Sequence, residues 1–139
     1  MALGVVDVRD VAQSHIRAME SKLSNGNRFL LIAKGMWMAE IPQILKQEFG
    51  KFGYKIPTRT FGKFLLSIAS IFDGNAKAIL PILGKEMKFK NEKSIKELNI
   101  EYMDVNKTIL DMAWSLIKFG IVQDKIKDTK LNKYNENNS

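Results

Sequence analysis

Chemistry in a protein chain needs a nucleophile, a proton carrier or an anion cradle at workable spacing, and this sequence is sparing with all three. Its one histidine is His15, and it has no cysteine. That excludes a metal centre built on imidazoles or thiolates, and also a thiol nucleophile. His15 stands beside Ile16 and Met19 on an expected helix, where an imidazole is packed or partly exposed rather than reactive. No serine lies in a Gly-x-Ser-x-Gly elbow. Gly50-Lys51-Phe52-Gly53 is an isolated Gly-x-x-Gly at the end of an expected helix, with no third glycine and no strand before it. It does not make the phosphate cradle of a nucleotide-binding turn. Tyr54, Tyr102 and Tyr134 are followed four residues later by Thr58, Asn106 and Asn138. A tyrosine acid with a lysine one helical turn on is therefore absent. The expected catalytic, cofactor-binding and metal-ligating sets are all empty.

Two groupings remain. Asp7 and Asp10 bracket Arg9 at a strand-to-helix junction. Acid, base or ligand-orienting roles are open to such carboxylates. The structural reading is stronger, because Asp10 can accept first-turn amides and Arg9 can pair with either acid. Met36-Trp37-Met38 resembles a ligand-facing aromatic patch, but at helical spacing with Ile41 it reads as core or interface.

The elements that would position these residues follow from periodicity. Gly4 to Val8 is short and β-branched and predicts a strand, with Asp10 as the cap of the next helix. Val11, His15, Ala18, Met19, Lys22 and Leu23, widened by Ala12 and Ile16, keep the helical period until the turn Ser24-Asn25-Gly26-Asn27. Arg28 to Ala33 is continuously apolar after its first residue and too short for a stable helix, which predicts a strand covered on both faces. A helix is expected from Trp37 to Phe52, with Pro42 tolerable only near its first turn. A loop follows at Gly53 to Thr58, then amphipathic helices over 61–72 and, more weakly, 76–83. Met87 to Phe89 is a candidate strand, and Asn91 a cap for a short helix carrying Ile95 and Leu98. The last helix runs from a cap at Asp104 to Gly120.

With 139 residues, 45% of them apolar and 27% charged, the chain suits one domain with a real core. The expected division is a folded lobe over 1–122 and a polar, mobile tail over 123–139. No apolar run approaches the roughly 20 residues of a membrane span. The opening MALGVVDVRD lacks the basic and long apolar regions of a secretory signal, so a soluble, reducing, cytoplasmic setting is the expectation. The net charge of +7 comes from 22 cations against 15 anions. Only Arg9, Arg17, Arg28 and Arg59 among those cations are arginine, and the excess is divided between residues 34–63 and 77–96. That pattern reads as a solvated surface and not as a nucleic-acid face, which would cluster arginine with aromatics.

The run from Phe29 to Ala33 carries a further implication. Apolar at consecutive positions, it wants cover on both faces and hydrogen-bonded neighbours on both edges. The sequence offers at most two other short strands, and sheets that small are marginal unless something packs on them or extends them. These strands are expected to join a larger sheet encoded elsewhere.

A family resemblance agrees with this. Val6-Asp7-Val8-Arg9-Asp10-Val11-Ala12 with His15-Ile16-Arg17-Ala18 resembles the VDVRDVA-x-x-H-I-x-A segment of extended short-chain dehydrogenases, particularly dihydroflavonol-reductase-like and NAD-dependent epimerase/dehydratase members. Gly26-Asn27-Arg28-Phe29-Leu30-Leu31 is similar to the family's Gly-x-Arg-Tyr strand, and Lys55 to Arg59 continues the likeness. Phe89 to Leu98 is similar to the signature F-D-N-S-K-A-x-x-E-L-G, and Thr108 to Gly120 to the closing T-x-x-D-x-A-x-S-L-x-x-x-G helix. The departures are Asn99 for the usual Gly, Ile100 and Tyr102 for Trp and Pro, and Met36-Trp37 at a usually polar helix start.

The resemblance covers about residues 4–122 and implies an α/β chain, mainly helical with two or three short strands. It would be the C-terminal substrate-binding lobe of an extended short-chain dehydrogenase with an incomplete Rossmann sheet. It implies that Leu3, Gly4 and Val5 lie near the substrate pocket, and that NAD or NADP and a small carbonyl substrate belong to the parent family. The Gly-rich loop and the Tyr-x-x-x-Lys sit in that family's N-terminal half, so this chain binds no cofactor alone and needs that half, or another chain supplying it, as partner. The competing reading is a non-catalytic interaction protein that docks through exposed strand edges.

Overall fold

The computed structural model describes residues 2–59 and 88–126. Strand β1 spans Ala2–Val5, helix α1 Val8–Glu20, strand β2 Lys34–Trp37, helix α2 Glu40–Phe49, helix α3 Glu92–Leu98 and helix α4 Val105–Lys118. Single 3₁₀ turns occupy Lys22–Ser24 and Gly50–Phe52. The helices expected over 61–72 and 76–83, Met87 of the candidate third strand, and residues 127–139 of the expected tail lie outside the described residues. Lys88 and Phe89 have no regular structure. Among the described residues the fold is thus mixed helix with a two-stranded sheet.

β1 and β2 pair antiparallel, with Ala2 opposite Trp37, Leu3 opposite Met36, Gly4 opposite Gly35 and Val5 opposite Lys34. This corrects two expectations. The first strand ends at Val5, because Asp7 must stand free in extended conformation (φ −76°, ψ 140°) to cap α1, where its side chain accepts the amide of Arg9. Asp10, expected as the cap, lies inside the helix. Its carboxylate reaches across to accept the amide of Met103 at 2.9 Å.

The second strand also forms later than the apolar run predicts. Residues 28–33 adopt no strand, Leu30 is 48% exposed, and none of the run is fully buried. The reason is the supply of partners. The amide of Ala33 finds the carbonyl of Val5 at 2.8 Å, but β1 gives way to α1 just beyond, and among the described residues no strand continues alongside. The carbonyls of Ile32 and Leu30 are instead held by side chains of α3 and its lead-in, Asn91 Nδ2 at 2.7 Å and Ser94 Oγ at 3.2 Å. Asn91 stands at the N-cap position of α3 as expected, but its side chain is spent on the run and makes no capping hydrogen bond.

Trp37 belongs to β2, and α2 starts at Glu40, whose Oε1 accepts the Trp37 amide at 3.2 Å. Pro42 falls in the first turn of α2, where its missing amide costs nothing. α4 matches its expectation. Asp104 accepts the amide of Lys107 at 2.9 Å. Gly120, at φ 69°, closes the end, with its amide on Ile117 O and the amide of Ile121 on Leu116 O, both at 3.0 Å.

The core sits between α2 and α4. Phe49, Trp114, Ile117 and Ile126 form one buried cluster, with Leu45, Phe52, Tyr54 and Ile56 against it. Met36, Val105 and Ile109 form a second, with Val5, Ile41, Ile44 and Leu45 packed on it. Tyr54 ties the chain down past α4. Its hydroxyl donates to Gln123 O at 2.9 Å and accepts from the amide of Lys125 at 3.0 Å. Ile126 is consequently buried.

Candidate functional site

The segments that carried the family resemblance meet in pairs. At the start of α1, Asp7 is buried and Arg9 is half exposed. Arg9 grips it with two parallel bonds, Nε to Oδ1 and Nη2 to Oδ2, each 2.8 Å. Thr108 Oγ1 of α4 donates to the same Oδ2 at 2.9 Å, and Arg9 Nη2 also reaches Asp111 Oδ2 at 2.6 Å. Lys107 adds a bond to that Asp111 oxygen at 2.9 Å. Asp7, Arg9, Thr108 and Asp111 therefore clamp α1 to α4. The hydrogen bonds from Arg9, aided by Thr108, hold the Asp7 carboxyl well below the usual carboxylate range against the opposing effect of burial. The bonds to Asp7 and Asp111 hold the guanidinium above its ordinary value. So weak a base is unsuited to taking a proton near neutral pH, and the cluster's work is positional.

The second pair is the apolar run with α3. Besides the bonds from Asn91 and Ser94, Lys93 places its ammonium 4.9 Å from the centre of the Phe29 ring. Ser94 is completely buried, and its oxygen also lies 2.8 Å from the hydroxyl of Tyr102.

Between the pairs lies a polar cleft of about 230 Å³ lined by Asp10, Gln13, Arg17, Asn99, Ile100 and Glu101. Arg17 Nη1 donates to the carbonyls of Leu98 and Asn99, the exposed end of α3. Asn99 takes the left-handed conformation (φ 51°, ψ 44°), which asparagine can adopt at some cost. Residue chemistry alone gives Asn91 only a capping role and does not single out Arg17, Thr108, Asp111 or Ser94. The signal was available, since all five lie within the segments of the resemblance.

Leu3, Gly4 and Val5 make up most of β1. Val5 packs on the Met36 cluster, and a Cβ on Gly4 would stand 2.6 Å from Ile32 Cδ1. Glycine at this position lets the apolar run approach the ribbon. His15 is exposed, its Nδ1 2.8 Å from Val11 O. Met36 is buried, whereas Trp37 and Met38 face outward, as strand alternation and the following turn dictate. No group of three metal-ligating side chains occurs among the described residues. No helix among them is long and apolar enough to cross a membrane.

A dinucleotide does not fit the glycine pair. Gly50 and Gly53 follow the carboxyl end of α2, where carbonyls and the negative end of the helix dipole face outward, and the Gly53 amide is taken by Gly50 O at 3.0 Å. A pyrophosphate needs the opposite polarity.

Comparison with known proteins points one way. NADPH-dependent methylglyoxal reductase of Saccharomyces cerevisiae is 28% identical over 116 residues, 84% of this chain and 30% of that protein. Cinnamoyl-CoA reductase 1 of Arabidopsis thaliana is 30% identical over 115 residues, 83% of this chain and 28% of that protein. A ketoreductase of Aspergillus fumigatus is 29% identical over 65 residues, 47% of this chain and 20% of that protein. The chain is similar in sequence to reductases, one of them NADPH-dependent, and spans less than a third of the length of each. No family model matches the chain, and no solved structure matches it.

Proposed function

We propose that this chain is the substrate-side lobe of an NAD(P)-dependent carbonyl reductase of the extended short-chain dehydrogenase type, working with a dinucleotide-binding half that it does not itself contain. The observation that carries the reading is the pairwise meeting of four separate motif segments. The Asp7-Arg9 segment is clamped to Thr108 and Asp111, and the 28–33 run is held by Asn91 and Ser94. Segments that resemble one family in order also serve one another in space, as parts of one inherited scaffold would. The similarity to reductases supports the same class. In this reading Leu3, Gly4 and Val5 shape the substrate pocket with small and apolar surfaces, hydride transfer depends on the partner half, and the isolated chain is inactive. The substrate is a small carbonyl compound.

The test is reconstitution. The chain is mixed with the portion of the Saccharomyces methylglyoxal reductase that it does not match, and NADPH absorbance is followed with methylglyoxal present. Consumption only when both polypeptides are present is the expected result. A mixture no faster than either part alone contradicts the proposal.

One observation favours a second reading, a non-catalytic protein that docks by strand addition. The amides of Phe29, Leu30, Leu31 and Ile32 meet no backbone acceptor among the described residues. One stoichiometric partner with no dehydrogenase activity would select it.

A further inference from the structure

The chain leaves the 3₁₀ turn after α1 through Ser24-Asn25-Gly26-Asn27. Asn25 has φ −58° and ψ 120°, Gly26 has φ 71°, and the Asn27 amide donates to the Ser24 carbonyl at 3.0 Å. These values match a type II β-turn, whose third residue needs a positive φ and is therefore glycine. The Gly26 amide meets no acceptor among the described residues, and both Asn25 and Gly26 are exposed. A Cβ on Gly26 would find nothing within 4 Å. The turn stands clear of its surroundings at that point.

Asn25 is the one asparagine in the sequence with glycine after it. The side-chain carbon of an asparagine is an electrophile placed so that attack by the next backbone nitrogen closes a five-membered ring. Any residue but glycine at the next position crowds that approach with its own side chain. Asn27, Asn91, Asn99 and Asn106 are followed by Arg28, Glu92, Ile100 and Lys107. The side-chain amides of Asn27 and Asn91 are moreover held by the carbonyls of Leu23 and Ile32. That of Asn25 makes no hydrogen bond among the described residues.

We propose that Asn25-Gly26 is a site of spontaneous deamidation, with water as the only co-reactant. The Gly26 nitrogen gives up its proton and bonds to Asn25 Cγ, the Cγ–Nδ2 bond breaks, and Nδ2 leaves as ammonia carrying that proton. Water then opens the cyclic imide. Cleavage at Cγ leaves aspartate, and cleavage at the main-chain carbonyl carbon leaves isoaspartate, whose backbone is longer by one methylene. No electrons change hands. Attack requires Asn25 to turn away from ψ 120°, which opens the Asn27–Ser24 bond, and glycine at position 26 follows that rotation at no steric cost. Either product removes one unit from the net charge of +7. Isoaspartate also lengthens the span that the turn closes and displaces Asn27, whose Oδ1 accepts Lys93 Nζ of α3 at 2.7 Å. Ageing at Asn25 thus releases one tie between this turn and α3, whichever functional reading holds.

Timed incubation of the full chain, then trypsin and tandem mass spectrometry, tests the site. Trypsin cuts after Lys22 and Arg28 and releases a peptide that holds Asn25 and Asn27 together. A gain of one mass unit at Asn25, divided between aspartate and isoaspartate isomers, is the expected result. It should grow several-fold faster at pH 9 than at pH 7, because the deprotonated amide is the nucleophile. Asn27 should convert at least about tenfold more slowly. The folded chain should convert Asn25 within about tenfold of the rate in urea, since an exposed turn opens readily. Asn25→Gln, which keeps an amide but not the five-membered closure, should abolish the gain. Conversion in urea without conversion in the folded chain overturns the proposal, as does equal conversion of Asn27. Aspartate without isoaspartate would show direct hydrolysis and would overturn the imide route. In the isoaspartate fraction, acetylation of Lys93 by acetic anhydride should quicken about twofold or more. An unchanged rate there would overturn the release of α3.

Discussion

α1 and α4 are amphipathic helices of nearly equal length, 13 and 14 residues, turned in opposite senses. α4 buries Val105, Ile109, Trp114 and Ile117 against α2 and leaves its polar side to solvent. α1 buries Asp10 and Ser14, half-buries Val11 and Ala18, and leaves Val8, Ile16 and Met19 exposed. The α2–α4 region is thus finished by its own sequence. In the region of α1 and the following run, polar groups are satisfied inward, while among the described residues the amides of Phe29 to Ile32 meet no backbone acceptor and several apolar side chains stay exposed. Periodicity is the same in both helices, so amphipathic pattern alone says that a helix has a face and not which body that face meets.

Substitutions should separate the two regions by size of effect. Trp114→Ala removes the ring that packs on Phe49 at 5.1 Å and on Phe52 at 6.4 Å. It should cost about 4 kcal/mol in denaturant unfolding. If it costs less than 1, the α2–α4 core is not what holds the chain together. Asp7→Ala removes a cap and the carboxylate that Arg9 and Thr108 share, leaving Arg9 with Asp111 and Thr108 with the carbonyl of Asp104. About 2 kcal/mol should be lost at neutral pH. The sign with pH follows from the depressed carboxyl. The Asp7 contribution is complete above its ordinary value of 3.8 and is lost as pH falls below it. The gap between parent and variant should therefore shrink on acidification, and a gap constant from pH 7 to 2 would exclude the ionic role.

Asn99→Gly relieves a left-handed residue at the end of α3 and should raise stability by about 0.5 kcal/mol. Destabilisation would mean the Asn side chain has work of its own. The smallest effect belongs to the open region. Met19→Glu in the chain alone should stay within about 0.5 kcal/mol of the parent.

Much of the fold was legible in sequence where local signals and tertiary demands agree. Asp104 and Gly120 bound α4 because a cap and a left-handed glycine work within one turn of chain. Asn99, at φ 51°, takes the left-handed backbone that asparagine tolerates better than most residues. The failures share one cause. Asp10 and Asn91 are good caps by residue type, but each is drawn to a distant backbone, Met103 and Ile32, that no local rule reveals. Phe29 to Ala33 has a strand's composition without the neighbours a strand requires, so strand structure forms five residues later, where β1 is available. Of the site, Asp7 and Arg9 were legible as a structural pair. Their link to Thr108 and Asp111 spans about a hundred residues and could be anticipated only through the resemblance that places both segments in one family.

Native-state amide exchange on the isolated chain tests most directly the claim that one region is complete and the other awaits a partner. The account predicts strong protection across Ile109 to Ile117 and near-unprotected exchange at Phe29, Leu30, Leu31 and Ile32. Equal protection of the two segments would contradict it.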